Sequence, residues 1–339
     1  MSYEMIALLM FAGMIILMLT GQRVFAMIGA VAAASALSLY GNSAAELPFN
    51  AAFKLFSWHS LLTLPLFVYM GHMMSKSGIA EELYQMMHVW FGKLPGGLAL
   101  GTVLLMVIIS AINGLSVAGL AIGSAIALPE MLRRGYDKVL ITGIVQGGST
   151  LGILLPPSVV MVLFAVIARQ PVSQLWLAGI FPGLLMAVIF ALYVYLRVKI
   201  NPSLAPKLSE EELAMPLREK LILLRAGIIP FVIFVLMIGL FITGYTSLLE
   251  SAAVGAVSAT VAAAWKGRLS WSLLNETAQE TMSISALFMW VILGALAFSS
   301  VFDGIGAVRA IENVFIHNWE LSPWAVIILM QLSFILMGM

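Results

Sequence analysis

The stretch LPGGLALGTVLLMVIISAINGLSVAGLAIGSAIALP, residues 94–129, runs for 36 residues without Asp, Glu, Lys or Arg. A helix needs about 20 apolar residues to cross the hydrocarbon core of a bilayer, so the stretch is too long for one span and too short for two. Its most polar part runs from Ser110 to Ser116 and contains Asn113-Gly114. Two half-length helices meeting at Asn113-Gly114 would form a re-entrant hairpin, whose non-helical tip must be buried in protein or line a cavity. The alternative is one kinked span with a long amphipathic flank.

Uncharged stretches cover most of the rest of the chain. Of the 339 residues, 62% are hydrophobic and only 10% are charged, whereas about 25% are charged in a typical soluble domain. This composition excludes an ordinary soluble enzyme and a disordered chain, and the net charge of +1 offers no footprint for nucleic acid. The sequence therefore predicts an all-α polytopic membrane protein. The other uncharged stretches are 5–22, 24–45, 55–75, 139–168, 170–196, 226–249, 251–265, 281–302 and 321–339.

The positions of the basic residues predict the orientation of the hairpin. Arg133, Arg134 and Lys138 follow it directly, and a second basic cluster lies between Arg197 and Arg225. Two predicted spans separate the clusters, so both clusters lie on one face, which the positive-inside rule makes cytoplasmic. The hairpin therefore enters and leaves the membrane on the cytoplasmic side, and the final uncharged stretch starts from the outer face.

In each half of the chain a glycine motif is followed by an amphipathic stretch and then by an apolar run that reaches another glycine. The predicted orientation in the membrane is opposite in the two halves. In the first half, 36 residues separate Gly78 from Gly114, and in the second half 34 residues separate Gly304 from Gly338. An inverted-topology repeat is typical of secondary transporters, in which discontinuous helices meet near the membrane midplane; chance similarity between apolar segments is the alternative. On this alignment we expect the chain to be C-terminally truncated near the tip of a second hairpin, and unable to transport in this 339-residue form even when partner proteins are supplied.

A second polar segment, QGGSTLGILLPPS at 146–158, lies within the predicted span 139–168. Polar groups at that depth are costly and usually face the interior of a bundle. Pro156 and Pro157 have no N–H donors and leave carbonyl groups free one turn earlier, and such carbonyls suit a hard, weakly hydrated monovalent cation. The alternative is a proline kink in which the glycines pack against a neighbouring helix. The polar hairpin tip nearby favours the cation site.

Sequence motifs along essentially the whole chain carry a family resemblance. The most specific are GSAIALPEMLRRGYDK at 123–138 and GILLPPS at 152–158. Together with weaker matches they resemble the large membrane subunit of tripartite ATP-independent periplasmic (TRAP) transporters. The weaker matches are LPLF at 64–67, SGIA at 77–80, LAGIFPG at 177–183 and ESAAVG at 250–255.

This resemblance implies a multi-pass transporter subunit of the bacterial inner membrane, and not an enzyme. Family members act as symporters that couple sodium entry to uptake of an organic acid, such as a dicarboxylate, delivered by a periplasmic substrate-binding protein. A small four-helix membrane subunit supports the scaffold, and a transport domain moves against that scaffold in an elevator mechanism. Sodium ions are the coupling ions, and no other cofactor is implied. Which acid is carried does not follow from the sequence, because the binding protein makes most of that selection.

On this basis we expect the chain to divide into five regions. These are the N-terminal scaffold helices 1–76, the first-repeat transport region 77–196, the cytoplasmic loop 197–225, the scaffold helices 226–282 and the start of the second repeat 283–339. The transport region would contain the re-entrant hairpin 94–129, the broken helix 139–168 and the helix 172–196.

The resemblance also implies a sodium site built from main-chain oxygens at the hairpin tip and the Pro-Pro segment. Many family members have serine where this chain has Asn113 and Leu115, a difference that leaves a backbone role unchanged. The second sodium site of the family needs a second hairpin and a following helix, which we expect to lie outside this chain. The residues that match the first site are Ser110, Asn113, Gly152, Leu155 and Pro157.

We expect a carboxylate substrate to bind helix ends and neutral polar side chains, because neither polar segment contains a basic residue. The N-terminus of a helix carries a partial positive charge, typically worth about 0.3–1 kcal/mol to a neighbouring anion. The candidate substrate-binding residues are Asn113, Ser116, Gln146, Ser149, Thr150 and Ser158.

Two other classes stay open at this point, an ion channel and an intramembrane enzyme. An enzyme should place paired carboxylates, a Ser/His set or metal ligands at bilayer depth, and the uncharged stretches contain no carboxylate. The four histidines have no metal-ligand spacing, and the chain lacks both cysteine and the Gly-x4-Gly-Lys-Ser/Thr phosphate-binding loop. A channel would favour a continuous polar pore over two closed half-helix sites.

Overall fold

The computed structural model describes residues 3–44, 46–92, 94–114, 116–168, 170–206, 216–312 and 321–337. Within these ranges the regular secondary structure is helical, with short 3-10 and π-helical turns between α-helices, and no β-strand occurs. The prediction of an all-α protein is therefore confirmed. The helices of the first half are α1 (Tyr3–Met18), α2 (Val24–Tyr40), α3 (Glu46–Phe56), α4 (Thr63–Lys76), α5 (Ile79–Phe91), α6 (Gly97–Asn113), α7 (Ser116–Ile122), α8 (Leu128–Arg133), α9 (Lys138–Leu154) and α10 (Val159–Ala168). Those of the second half are α11 (Val172–Ile200), α12 (Leu217–Leu223), α13 (Ile228–Ile242), α14 (Leu248–Trp265), α15 (Trp271–Gly304), α16 (Ala307–Glu312) and α17 (Pro323–Met337).

Several helices are long and apolar enough to cross a membrane. Helices α9 and α10 are separated by a short break and bent by 41°. Taken together, they form one further candidate for a membrane span. Their lengths and compositions agree with the predicted polytopic membrane protein. The continuous candidates among the described residues are Val172–Ile200, Leu217–Ile242, Leu248–Trp265 and Trp271–Gly304.

Helix α11 extends beyond the end that the uncharged stretch predicts. It continues past residue 196 to Ile200, with Arg197 and Lys199 exposed in its last turn. Long basic side chains reach from a membrane helix to the polar interface, and positive charge favours the C-terminus of a helix. The helix therefore has a physical reason to include residues that a charge-free criterion leaves out.

The helices pack into two compact units. One comprises the described parts of Met1–Ser57 and Ala286–Met339, and the other comprises those of Trp58–Ser285. In the first unit, Phe11 packs edge to face against Phe302, with 5.3 Å between ring centroids. The second unit contains all the sequence-predicted site residues. The five-region division into scaffold and transport parts stays a prediction.

Helices α6 and α7 pack against α9 through small residues. A Cβ atom built on Gly148 of α9 would lie 2.7 Å from the Cβ atom of the fully buried Met106 of α6. A Cβ atom on Gly123, which follows α7, would lie 2.9 Å from the Sδ atom of the same methionine. Small residues let membrane helices approach closely. Gly148 thus packs against a neighbouring helix. This agrees with the alternative interpretation of the segment 146–158, a proline kink whose glycines pack against a neighbour.

Charged side chains stabilise α8 and the start of α9. Glu130 of α8 accepts hydrogen bonds from Arg133 Nη2 at 2.7 Å and from Arg134 Nε at 2.6 Å. The hydrogen bond from Arg133 is the largest cause of a lowered pKa of Glu130, and the hydrogen bond from Arg134 adds to it, so that the pKa lies at about 2. The side chain of Asp137 accepts a hydrogen bond from the Leu140 N–H at 2.9 Å and so caps the start of α9.

The sequence SLLE at 247–250 predicts a capping box at the start of α14. The structure confirms it, because the Glu250 N–H donates to Ser247 Oγ at 3.3 Å and the Ser247 N–H donates to Glu250 Oε2 at 2.7 Å. Glu250 therefore has a structural role at the start of α14, and this role explains its presence in the ESAAVG motif.

Candidate functional site

The helical segment that begins at Lys138 is interrupted at two consecutive prolines. Helix α9 ends at Leu154, and Leu155 takes an extended conformation with φ −83° and ψ 130°. Because Pro156 and Pro157 have no N–H, the carbonyls four residues earlier lose their helical donors. Helix α10 then begins at Val159.

Ser158 repairs part of this lost hydrogen bonding. Its hydroxyl donates to the carbonyl oxygen of Ile153 at 2.6 Å, in place of the N–H that Pro157 lacks. The same hydroxyl accepts from the Met161 N–H at 3.2 Å, which caps the first turn of α10. Ser158 is fully buried, so its side chain is occupied by main-chain partners on both sides of the break.

The turn after α6 lies directly against this break. Gly114 follows Asn113 with φ +64°, a conformation that favours glycine. Its carbonyl oxygen accepts a hydrogen bond from the Val159 N–H at 3.1 Å. A Cβ atom built on Gly114 would lie only 2.2 Å from the carbonyl oxygen of Pro157. The backbone conformation and the close approach thus both require glycine at this position.

Helix α11 covers another side of the break with residues spaced three and four apart. The Trp176 Nε1–H donates to the carbonyl oxygen of Ser158 at 3.3 Å, and the tryptophan is almost completely buried. A Cβ atom on Gly179 would lie 2.5 Å from the carbonyl oxygen of Leu154, and one on Gly183 would lie 2.8 Å from Leu155 Cδ2.

Sequence reasoning missed this face of α11. It used the LAGIFPG motif at 177–183 only as a mark of the family. The signal that could have found the face is the helical spacing of one tryptophan and two glycines, Trp176, Gly179 and Gly183. Large and small residues at such spacing are typical of a close helix contact.

The predicted substrate-binding side chains on α9 differ in their environments. Gln146 and Thr150 are exposed, whereas Ser149 is buried. Ser149 Oγ donates to the carbonyl oxygen of Gln146 and Thr150 Oγ1 donates to that of Gly147, each at 2.7 Å. Serine and threonine commonly make such local bonds within helices, so these hydroxyls have partners in their own turn of α9.

The other predicted site residues lie on the two sides of the hairpin turn and at the break. Ser116 is half-buried at the first position of α7. The backbones of Ser110 and Asn113 belong to the last turn of α6, and their side chains lie outside what the structure describes. Gly152 and Leu155 are buried at the end of α9.

Main-chain oxygens and helix ends converge where these elements meet. The C-termini of α6 and α9 carry partial negative charge, and the N-termini of α7 and α10 carry partial positive charge. The link from the Val159 N–H to the Gly114 carbonyl oxygen brings the ends of α6 and α10 together. Over the described part of the chain, no group of three or more His, Asp or Glu side chains is placed to hold a metal ion. The chemistry available here is that of carbonyl oxygens and helix dipoles.

The structure combines apolar helices long enough to span a membrane with one broken helix, and the tip of a hairpin contacts that break. These features define the class of polytopic membrane proteins with discontinuous helices. Many secondary transporters contain such helices at their substrate and ion sites. The family described as "Tripartite ATP-independent periplasmic transporter, DctM component" matches residues 11–339. The chain belongs to this family, and the resemblance read from its motifs is confirmed.

Relatives from several bacteria are similar to the chain. The C4-dicarboxylate TRAP transporter large permease protein DctM of Pseudomonas aeruginosa is 31% identical over 295 residues, which cover 85% of this chain and 67% of the relative. The protein of the same name from Rhodobacter capsulatus is 27% identical, over 98% of this chain and 78% of the relative. The ectoine/5-hydroxyectoine TRAP transporter large permease protein UehC of Ruegeria pomeroyi is 28% identical, over 81% of this chain and 63% of the relative. The chain thus spans about two thirds of the length of these relatives.

Family membership decides between the classes that the sequence left open. The family consists of transporter components, so the prediction that the chain is not an enzyme is confirmed. Neither the intramembrane enzyme nor the ion channel is favoured by any of these relatives.

Proposed function

We propose that the chain is the large permease subunit of a sodium-coupled secondary transporter that takes up an organic acid. The observation that carries this proposal is the contact between the hairpin turn and the broken helix, in which the Gly114 carbonyl oxygen meets the Val159 N–H. It brings carbonyl oxygens and the ends of α6 and α10 together, and among the described residues no charged side chain takes part in this contact.

The proposed sodium site uses main-chain oxygens of Ser110, Asn113, Gly152, Leu155 and Pro157. Pro156 cannot donate to the carbonyl of Gly152, and the Pro157 carbonyl oxygen lies beside Gly114. Carbonyl oxygens coordinate alkali cations by replacing their hydration shell, and the C-termini of α6 and α9 add negative potential. These residues therefore fit a monovalent cation.

The proposed substrate is a carboxylate held by the positive ends of α7 and α10 and by neutral polar groups. The candidate ligands are Asn113, Ser116, Gln146, Ser149, Thr150 and Ser158. The relatives are named for C4-dicarboxylates, for ectoine and for sialic acid, so the family accommodates more than one compound. The class of organic acid is our proposal, and the compound itself depends on the partner that delivers it.

The proposed mechanism is an elevator built on an inverted repeat. The hairpin 94–129 and the broken helix 139–168 would move as a transport region, and the equivalents in 283–339 would begin the second repeat. The 36-residue and 34-residue spacings of the glycine motifs support this repeat. The proposed location is the bacterial inner membrane, and the word periplasmic in the family description supports it.

The proposed partners are a periplasmic substrate-binding protein and a small four-helix membrane subunit. The word tripartite in the family description supports a system of three components. A relative from Oleidesulfovibrio alaskensis is named as a DctMQ permease protein, which agrees with a small subunit that is either separate or fused.

Uptake into proteoliposomes tests the proposal. The permease, in the full length that its gene encodes, is reconstituted with its small subunit, and the binding protein is supplied outside with a radiolabelled organic acid. We expect accumulation only when an inward sodium gradient and the binding protein are both present. Uptake that needs neither would contradict the proposal, and a potassium gradient of equal size is the control for the ion.

Single substitutions at the proposed ion site, compared with a control in α9, sharpen this test. Gly152→Val places a branched side chain among the carbonyls of the proposed ion site, and we expect it to abolish sodium dependence. Ser110→Ala leaves the main chain unchanged and should have a smaller effect. Gly143→Val is the matched control, because a Cβ atom on Gly143 meets no other atom within 4 Å. Unchanged sodium affinity in Gly152→Val would place the ion elsewhere.

A further inference from the structure

A small polar cavity lies where α4, α15 and the π-helical turn Gly123–Ala127 meet. It encloses about 190 Å³, which is room for a few water molecules. The described residues that line it include none of those proposed for ion or substrate binding. π-Helical turns are rare and are frequently found at functional sites. The titratable side chains that line the cavity are His72, Lys76, Glu81 and Glu280.

Glu280 of α15 joins two side chains of α4. Its Oε2 atom lies 3.1 Å from Nδ1 of His72, and its Oε1 atom lies 2.8 Å from Nζ of Lys76. A carboxylate that is paired with a lysine is ionised and can only accept hydrogen bonds. The proton of the neutral imidazole is therefore on Nδ1 of His72, which donates it to Glu280.

The other ring nitrogen of His72 is the one that can take up a second proton. Nε2 is buried and has no hydrogen-bond partner in the described part of the chain, although most buried polar atoms have one. A proton added there needs an acceptor, and the cavity that His72 lines has room for a water molecule in that role. The protein thus provides a partner for the neutral imidazole and space for the partner of the charged one.

The charges around His72 favour a further positive charge. Glu276 and Glu280 share the ammonium group of Lys76, and Glu81 of α5 adds another carboxylate to the cavity wall. Nearby negative charge favours the charged form of an imidazole, whereas burial opposes it. Because imidazole is the side chain that ordinarily titrates near neutral pH, these opposing influences leave His72 able to bind a proton when the pH falls.

The other elements packed against α4 bring no competing charge to the cavity among the residues that the structure describes. Helices α6, α7 and α10 contain no charged residue. The charged residue within α14 is Glu250, which belongs to the capping box. Glu82 of α5 is paired with Lys266, and Arg268 lies against Gly78 in the turn between α4 and α5. Lys76, Glu81, Glu276 and Glu280 are therefore the charges that act on His72.

We propose that His72 and Glu280 form a proton-binding site at the end of α4 that the positive-inside rule predicts to be cytoplasmic. The proton comes from water and adds to Nε2, a water molecule in the cavity accepts the new N–H, and Nδ1 keeps its bond to Glu280. The imidazolium then competes with Lys76 for Glu280, and Lys76 has a second partner in Glu276, 3.3 Å away. Acidification would thus exchange the ion pairs that join α4 to α15. The proposal does not depend on sodium coupling or on the identity of the substrate.

Nuclear magnetic resonance of the full-length permease with isotope-labelled histidine rings tests the site. We expect the signal of His72, assigned by its loss in His72→Gln, to titrate between about pH 5 and 8. Glu280→Gln removes the paired carboxylate and should move this midpoint to lower pH by about one unit. Lys76→Gln removes the competing cation and should move the midpoint to higher pH.

Two controls separate this account from a general loosening of the fold. His59 is exposed, and its signal should titrate at the same pH in all variants. Glu46→Gln removes an exposed carboxylate of the other compact unit and should leave the His72 signal unchanged. A loosened fold would move the His72 midpoint in the same direction in Glu280→Gln and Lys76→Gln, and thermal midpoints check each variant. Shifts of the same sign, an unchanged midpoint in both variants, or a His72 ring that stays neutral down to about pH 5 would overturn the proposal.

Discussion

Two parts of the second compact unit are held together by different chemistry. At the hairpin turn and the break after α9, a main-chain hydrogen bond joins Gly114 to Val159, and no charged side chain takes part. Between α4 and α15 the contacts are ionic, and Lys76 Nζ lies 2.8 Å from Glu280 Oε1 and 3.3 Å from Glu276 Oε2.

The difference follows from the cost of charge in each place. Within a bilayer, backbone groups must be satisfied by the protein, and each unsatisfied group costs several kcal/mol. Half-exposed ion pairs contribute only about 0–1 kcal/mol because water and salt screen them. We therefore expect small changes to the backbone contact to have larger effects than loss of a whole charge in the ionic contact.

Gly114→Ala should have the largest effect. The added Cβ would lie 2.2 Å from the Pro157 carbonyl oxygen, and the backbone has φ +64°. Strain of this kind costs about 1–3 kcal/mol before the clash is counted, so we expect a marked fall in thermal midpoint and loss of sodium-driven uptake. Gly143→Ala, which adds the same atom in open space, is the control. Equal behaviour of the two variants would remove the basis of the comparison.

Ser158→Ala should have the next largest effect. It leaves the Ile153 carbonyl oxygen without its hydroxyl donor and α10 without its cap, a loss of about 1–3 kcal/mol for a buried group. We expect a lower thermal midpoint, with Ser158→Thr as the control that keeps the hydroxyl. A normal midpoint with a raised KM for the transported acid would instead support direct substrate binding by Ser158.

Glu130 gives a pH-dependent effect at the charged ends of the helices. Its pKa falls from the ordinary value of 4.5 to about 2, so the folded state favours the ionised form. Its stabilisation is complete well above pH 4.5 and is lost as the pH falls towards 2. Thermal midpoints of the unmodified protein and Glu130→Gln should differ most at pH 7 and converge in acid. Because Arg133 is 70% exposed, we expect a smaller effect than for Ser158→Ala, and a difference independent of pH would contradict this account.

Lys76→Gln should have the smallest effect. It removes both ion pairs to α15, but Glu276 and Glu280 are about half exposed and regain water. We expect a change of at most about 1 kcal/mol that shrinks as salt is added. Lys54→Gln, an exposed lysine of the other compact unit, is the control, and thermal midpoints at low and high salt are the measurement. A loss as large as that of Gly114→Ala would show that the ionic contact is the stronger one.

Local patterns predicted the helical class and the positions of the interruptions. The sequence places a turn at Asn113-Gly114, and α6 ends at Asn113. It also places a break at Pro156-Pro157, and α9 ends two residues earlier, at Leu154. Glycine and proline act within one turn of helix, so their effects are visible in a short window. Whether the hairpin re-enters the membrane stays a prediction.

Contacts between distant segments were beyond the reach of such patterns. The bond from Trp176 to Ser158 depends on how α11 returns along the break, which no local spacing specifies. The hydroxyls of Ser149, Thr150 and Ser158 were interpreted as substrate ligands because polar groups in a membrane helix suggest function. The structure shows each of them bonded to a nearby main-chain carbonyl, an equally good solution that composition does not distinguish.

The link from the Gly114 carbonyl oxygen to the Val159 N–H has a consequence for how new specificities arise. Both atoms belong to the main chain, so replacing the neighbouring side chains at Asn113 or Ser116 does not remove either partner. Mutations can therefore change the groups presented to a ligand while the tip stays attached to the broken helix. At the tip, the positive φ and the close approach of the Pro157 carbonyl oxygen fix glycine at position 114. An architecture of this kind separates the positions that hold the tip in place from those that we propose to contact the ligand, which leaves the second group open to variation.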